Sequence, residues 1–286
     1  LFCFLALTAL PFIISILLSF VDWNFFSGIE KIKWVGLQHF VDMWEDDKFV
    51  QGLKNTFYYV IGIVPLSIIV SLVFAYCMNG RIFGKKALRM MFFIPYISSV
   101  VAVGAVFKFL FREEGIVNNV LLDLGLISEP LKWTINKELS KIPIILLSIW
   151  CSIGYQLILF TAAMQNVPTS LYEAARIDGA NAFQQFMNVT LPYMIFVMTP
   201  YIITQFTGNI NNFNVIYLLT RGEPLQVGNS AGDTDLLVTW LYKLTVDQQK
   251  FNMGAVIGIF TFVVLAVVSL ITYRSSGSYK DEEAFK

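Results

Sequence analysis

Six apolar stretches, each near the roughly 20 residues a helix needs to cross the hydrocarbon core of a bilayer, leave this chain few possible folds. They cover about Leu1–Val21, Thr56–Met78, Leu88–Phe111, Ile142–Met164, Leu191–Leu219 and Phe251–Tyr273. Within lipid, every backbone amide and carbonyl must be satisfied inside the protein, so the expectation is an all-α, polytopic membrane protein. Only 14% of the residues are charged, against about 25% in soluble domains. Pro11, Pro65, Pro95 and Pro200 fall inside the spans, where neighbouring helices re-satisfy the freed carbonyls. The whole of 1–286 reads as one transmembrane domain.

Lysine and arginine in short loops set the orientation. The loop after the second span carries Arg81, Lys85 and Lys86, with Arg89 just inside the third, and no acid. That end is expected to be cytoplasmic. Alternation then puts Asp22–Asn55, Arg112–Lys141 and the 220–250 segment outside, and Asn166–Thr190 and the 274–286 tail inside. Trp34 to Trp44 predicts a short helix at the membrane interface. Leu237, Trp240, Leu241 and Leu244 share one face of a second helix expected to lie flat. Lys108, a turn from the outer end of the third span, can snorkel to the headgroups.

Several classes of function are excluded or disfavoured. A net charge of zero argues against nucleic-acid binding. Cys3, Cys77 and Cys151 sit in apolar runs without metal-ligand spacing and read as buried small hydrophobes. His39 has no ligand set around it and reads as a surface residue. No metal site, cofactor or catalytic residue is therefore expected. An intramembrane enzyme would need a His/Glu or Ser/Lys pair at one depth, and an ion-coupled secondary transporter ionisable groups in mid-span; neither pattern is present. Leu1 already lies in an apolar run with no basic stretch before it and no cleavage pattern after it, so the natural start is expected upstream.

Asn166 to Pro192 is the one long segment between spans with the pattern of folded helix. Ser170 and Glu173 fit a capping box. The helix is expected to run through Leu171, Ala174, Ala175 and Ile177 and stop at Gly179 in the left-handed C′ position. Asn181 and Gln184 repeat the cap spacing, Phe183, Phe186 and Met187 follow at helical spacing, and Leu191-Pro192 opens the next span. This is a helix-turn-helix with an apolar ridge that needs something to pack against. Interfacial helices that lie on lipid are rich in Lys and Arg; this loop has only Arg176.

The spacing Glu173-Ala174-Ala175, Gly179, Val189, Leu191-Pro192 resembles the EAA loop of ABC-importer permease subunits, with Val189 in place of the usual Ile. The resemblance implies the type I importer permease fold, with this cytoplasmic loop docking into a partner ATPase through Glu173, Ala174, Ala175, Asp178, Gly179 and Ala180. No phosphate-cradling glycine loop is present, so a partner subunit must bind the ATP.

The fifth span carries Gln205, Asn209, Asn211, Asn212 and Asn214. Burying an unpaired amide costs about 2–7 kcal/mol, so these groups must face other helices or a wet cavity. Gln205, Asn209 and Asn212 fall on one helical stripe, and Tyr155 in the fourth span offers an aromatic face with a polar tip. Amides and a ring suit a hydroxyl-rich ligand with a C–H surface. The same asparagines also serve as interhelical bridges, and composition leaves both readings open. Asn211-Asn212-Phe213-Asn214, Ile216 to Thr220 and Gly232 to Leu237 resemble the larger permease of maltose and maltodextrin importers. That resemblance implies sugar contacts at Tyr155, Asn209 and Asn212. Gln205, Ser148, Cys151 and Ser152 take lining positions with residues differing from the maltose transporter's, and Gly208 replaces an aromatic. It further implies an oligosaccharide substrate, a second permease, an ATPase dimer, an extracytoplasmic sugar-binding protein and a prokaryotic cell membrane. A permease for another polar solute remains the alternative within this class.

Overall fold

The computed structural model describes residues 2–23, 28–80, 82–225 and 231–275. Arg81, residues 226–230 of the expected outer segment and the 276–286 part of the tail lie outside the described residues.

Helices dominate. They are α1 (Phe2–Leu18), α2 (Gln38–Glu45), α3 (Asp47–Asn79), α4 (Lys85–Ile97), α5 (Val100–Leu110), α6 (Ile116–Asp123) and α7 (Lys141–Gln165). After these come α8 (Thr169–Ile177), α9 (Ala182–Gln185), α10 (Leu191–Ile210), α11 (Phe213–Leu219), α12 (Leu237–Tyr242) and α13 (Phe251–Ser275). A two-stranded antiparallel ribbon, β1 (Val21–Asp22) against β2 (Lys33–Trp34), follows α1. The α3 and α7 helices, the run over 182–219 and α13 are long and apolar enough to cross a bilayer.

Two expected spans are broken. The third is two helices meeting at 97°. Pro95 weakens the last turn of α4, Ser98 turns extended (ψ 151°), and its hydroxyl donates to the Ile94 carbonyl at 2.7 Å, ending the helix there. The fifth leaves helical geometry at Asn211–Asn212, where Asn212 takes ψ 75° and becomes the N-terminal flank of α11. The stripe expected through Gln205, Asn209 and Asn212 therefore ends at Asn209. A run of short amides competes with the backbone for its own hydrogen bonds, which is why the helix gives way there.

The chain forms two compact units, each assembled from discontinuous stretches. In the first (Leu1–Tyr59, Gly104–Ile144, Ile210–Val267), Met43, Phe49, Leu237, Trp240, Leu244, Val256 and Ile257 form the core. The apolar face of α12, expected to lie flat on the membrane, is thus buried inside the protein, because Phe49 and Val256 supply a better cover than an interface. His39 is also not a free surface residue: its Nε2 lies 3.2 Å from the Val21 carbonyl. Asn118 is buried and ties the segment after α6 back on itself, donating to the Glu113 and Leu131 carbonyls and accepting from the Trp133 indole at 2.9 Å.

In the second unit (Val60–Val103, Ile145–Asn209, Val268–Lys286), Ala75, Met78, Leu157, Phe160, Met164, Met194 and Met198 form the core. Here α7 crosses α4 so closely that a Cβ on Gly154 would collide with the Phe92 carbonyl oxygen and lie 2.8 Å from the Phe93 Cα. Cys3 and Cys77 are exposed and Cys151 is half-buried. The expectation of three buried thiols fails because an apolar run in a membrane helix has an outer face as apolar as its inner one.

Candidate functional site

The loop between α7 and α10 folds as a helix-turn-helix. Its first helix, α8, starts two residues earlier than expected: Pro168 is the N-cap, which places Ser170 inside the helix, and no side-chain cap forms. The Ser170–Glu173 box is therefore absent. The far end is as expected. Gly179 has φ +78°, the Ala180 amide donates to the Ala175 carbonyl at 2.9 Å, and the Gly179 amide to that of Arg176 at 3.1 Å. This pair of bonds is a Schellman closure, which needs a left-handed C′ residue. The second cap is a full box: Asn181 N–H donates to Gln184 Oε1 at 2.8 Å and Gln184 N–H to Asn181 Oδ1 at 2.9 Å.

The second limb does not end at Leu191. A π turn over Phe186–Thr190 carries α9 directly into α10. Pro192 has no N–H for a helical bond, and a wide turn just before it accommodates that loss. Tyr172 and Thr190 share a hydrogen bond of 2.8 Å between the two limbs, and the Phe186 ring packs 4.8 Å from Tyr76. Glu173, Ala174, Asp178 and Gly179 are exposed, while Ala175 and Ala180 are half-buried. Ile177 is 87% and Phe183 70% exposed, so this part of the ridge is left uncovered by the described residues.

The second group of predicted residues centres on Tyr155 of α7. Its ring stacks on Tyr96 of α4 (centroids 5.0 Å apart, planes at 12°) and meets Tyr201 of α10 edge-on at 5.7 Å. One face of Tyr155 is thus occupied by Tyr96, which is itself half exposed. One to two turns earlier on α7, Ser148 is buried, Ser152 donates to its carbonyl at 2.7 Å, and Cys151 is half-buried. On α10, Tyr201, Gln205 and Asn209 are spaced four apart, and Asn209 donates to the Gln205 carbonyl at 2.9 Å. Asn212, in the other unit, donates to the Tyr59 hydroxyl at 2.8 Å. Each asparagine spends one amide proton and keeps its remaining capacity.

Three contributors were not singled out from sequence. Tyr96 and Tyr201 look like two more aromatics in apolar runs. Gln156 is fully buried and takes a bond of 2.7 Å from Ser71 while giving one of 3.2 Å to Ser67, both on α3. A lone Gln inside a span was the available signal.

In the 220–250 segment, Asp235 is fully buried and accepts from Lys243 Nζ at 2.6 Å, the Gly232 amide at 2.7 Å and the Thr239 hydroxyl at 2.9 Å. Burial pushes its carboxyl above the ordinary range, with Lys243 opposing most strongly. Asp233 pairs with Lys137 at 3.2 Å. The Asp235 carbonyl accepts from Asn55 and the Leu237 amide donates to Thr56, so this segment is pinned to the start of α3.

Fold and site together define a multi-pass helical cell-membrane protein with a folded loop between two of its spans that the described residues leave uncovered. The chain belongs to the family of binding-protein-dependent transport system inner membrane components, whose model matches residues 63–277. It is 32% identical over 282 residues to the galactooligosaccharides transport system permease protein GanP of Bacillus subtilis (strain 168), covering 95% of this chain and 67% of GanP. It is 28% identical over 288 residues to the maltodextrin transport system permease protein MalC of Streptococcus pneumoniae serotype 4, covering 96% of this chain and 66% of MalC. The chain thus spans about two-thirds of the length of these relatives. Among solved structures, a bacterial ABC transporter involved in the import of the acidic polysaccharide alginate matches at TM-score 0.78 and 24% identity, covering 95% of this chain and 90% of that one. The alginate transporter in complex with alginate pentasaccharide-bound periplasmic protein matches at TM-score 0.75 and 25% identity, covering 86% and 84%.

Proposed function

We propose that this chain is the non-catalytic permease subunit of an ATP-driven oligosaccharide importer, contributing half of the translocation pathway as a single transmembrane domain. The observation that carries the reading is the uncovered ridge of the helix-turn-helix, with Ile177 87% and Phe183 70% exposed in a member of this family. In this reading the loop faces the cytoplasm and docks on one of two ATPase subunits through Glu173, Ala174, Ala175, Asp178, Gly179 and Ala180. Nucleotide-driven closure of the ATPases presses on that ridge and biases the spans between two packings. A second permease completes the pathway, and an extracytoplasmic binding protein delivers the sugar, with the 220–250 segment as its contact.

The stacked Tyr96–Tyr155 pair and the Gln205–Asn209 face support a sugar site, with Tyr155 and Asn209 as contacts and Ser148, Cys151, Ser152 and Gln205 lining it; for Asn212 a sugar contact is implied by the resemblance alone. Rings take the C–H surface of a pyranose, and amides take its hydroxyls. Gly208 is open, since a Cβ there would meet nothing within 4 Å. That opening, with relatives named for galactooligosaccharides and maltodextrin, supports a chain of several sugars as the substrate.

The test is Gly179→Val in the reconstituted importer. At φ +78° a β-branched residue is strained by about 1–2 kcal/mol or more, which distorts the turn between the limbs. Sugar-stimulated ATP hydrolysis and uptake should fall together at least tenfold while the ATPases hydrolyse at their unstimulated rate. Wild-type stimulation across a panel of malto- and galacto-oligosaccharides in that variant would remove the docking role.

A further inference from the structure

We infer that Gln156 is the positioning residue that sets the Tyr155 ring for substrate; this rests on the reading of Tyr155 as a sugar contact. A neutral amide inside a membrane span is costly unless both its ends are bonded, and here both are bonded to a single neighbouring helix. Ser71 donates to Oε1 at 2.7 Å and Nε2 donates to Ser67 at 3.2 Å. Ser67 and Ser71 are themselves buried and lie one turn apart on α3. Two anchors on one partner fix the rotation of α7 about its own axis, where a single bond would leave a pivot. Tyr155, the preceding residue, points about 100° around that axis, so the rotation fixed at Gln156 is the angle at which the tyrosine ring is presented.

The surroundings of Gln156 add a second feature. The Tyr201 hydroxyl is buried facing Gln156 without completing a well-formed hydrogen bond. The Tyr201 ring also touches that of Tyr155. A small rotation of α7 would exchange a serine bond for a tyrosine bond and give the amide a second partner set. Such discrete arrangements are what a transporter needs in order to switch the presentation of a contact residue rather than blur it.

The measurement is equilibrium dialysis of radiolabelled maltotetraose and galactotetraose against the purified complete importer without its binding protein. Gln156→Leu keeps the volume and removes both anchors, and the serines fall back on helix carbonyls, as Ser67 already does toward Val64 at 2.9 Å. It should weaken binding about tenfold with the same number of sites per permease. Ser67→Ala with Ser71→Ala should weaken it similarly, and this pair decides the matter if Gln156→Leu does not assemble. Fewer sites at unchanged affinity would mean that Gln156 only holds the fold together, and would overturn the inference. Tyr155→Ala separates the two levels. If that variant binds like wild type, or if the wild type binds neither sugar, the sugar-site reading itself fails. If Tyr155→Ala loses binding while Gln156→Leu binds normally, only the positioning role fails.

Discussion

Asp235 shows how a single residue can decide the order of a long segment. Its folded-state carboxyl is shifted upward by burial, so folding favours the protonated form. The sign follows from linkage: this group's contribution to stability is full below its unfolded value of about 3.9 and is lost as pH rises through the raised folded value. Lys243 opposes that loss more than any other group around the carboxylate. Lys243→Met leaves a buried carboxylate without its cation, and removing one partner of a buried pair costs about 3–5 kcal/mol. The variant should therefore melt well below wild type at pH 8 and recover progressively on acidification toward pH 5. Adding Asp235→Asn should restore much of the loss and flatten the pH dependence. A Lys243→Met protein that melts like wild type at pH 8 would show that the pair carries no net stability. None of this was legible in the sequence, where Gly-Asp-Thr-Asp reads as a polar loop. Burial of Asp235 depends on Trp240 and Leu244 packing away from the membrane, which residue type alone cannot show.

Among elements, periodicity located helices well and their interruptions poorly. Apolar length marked α3, α7, α10 and α13, because membrane thickness sets that length. It did not mark the corner at Ser98, where one serine hydroxyl and one proline outweigh an apolar run on either side. The turn at Gly179 was legible because only a residue tolerant of positive φ closes a helix that way. Ser170 misled because Pro168, two residues before it, starts the helix earlier. Gly154 of α7 lies tight against the Phe92–Phe93 backbone of α4. Gly154→Ala must push these backbones apart at a typical overpacking cost of about 1–3 kcal/mol. It should lower the melting temperature of the purified protein by several degrees, at about 2–4 °C per kcal/mol. Gly208→Ala, with open space around its Cβ, should melt within a degree or so of wild type. Equal melting of the two variants would mean that the crossing is looser than described.

At the scale of the whole molecule, many large apolar side chains are exposed along the spans, Phe2, Leu7, Phe57, Met90 and Leu270 among them. In water this would be an aggregating surface, and in a bilayer it is a solvated one. The charge rule predicts a direction of insertion with the Asn166–Thr190 loop inside. In a cysteine-free background, Phe183→Cys should react with a membrane-impermeant maleimide only in inverted vesicles, and Leu225→Cys only in right-side-out ones. Labelling of Phe183→Cys in right-side-out vesicles would reverse the orientation and end the docking proposal. The candidate site was partly legible: Tyr155 and the span-five amides stood out as polar groups where lipid forbids them. Tyr96 and Tyr201 did not, because an aromatic in an apolar run becomes informative only when its neighbours are known.

The π turn over Phe186–Thr190 has a geometric corollary. Such a turn holds one residue more than its α counterpart. Ironing it out would screw everything downstream on α10 around by about 100° and along by about 1.5 Å. Tyr201, Gln205 and Asn209 would then look toward a different quarter of the bilayer, while Phe183 stayed where it was. The span thus carries a one-residue slack just behind its exposed limb, in the manner of a thread cut with a spare pitch.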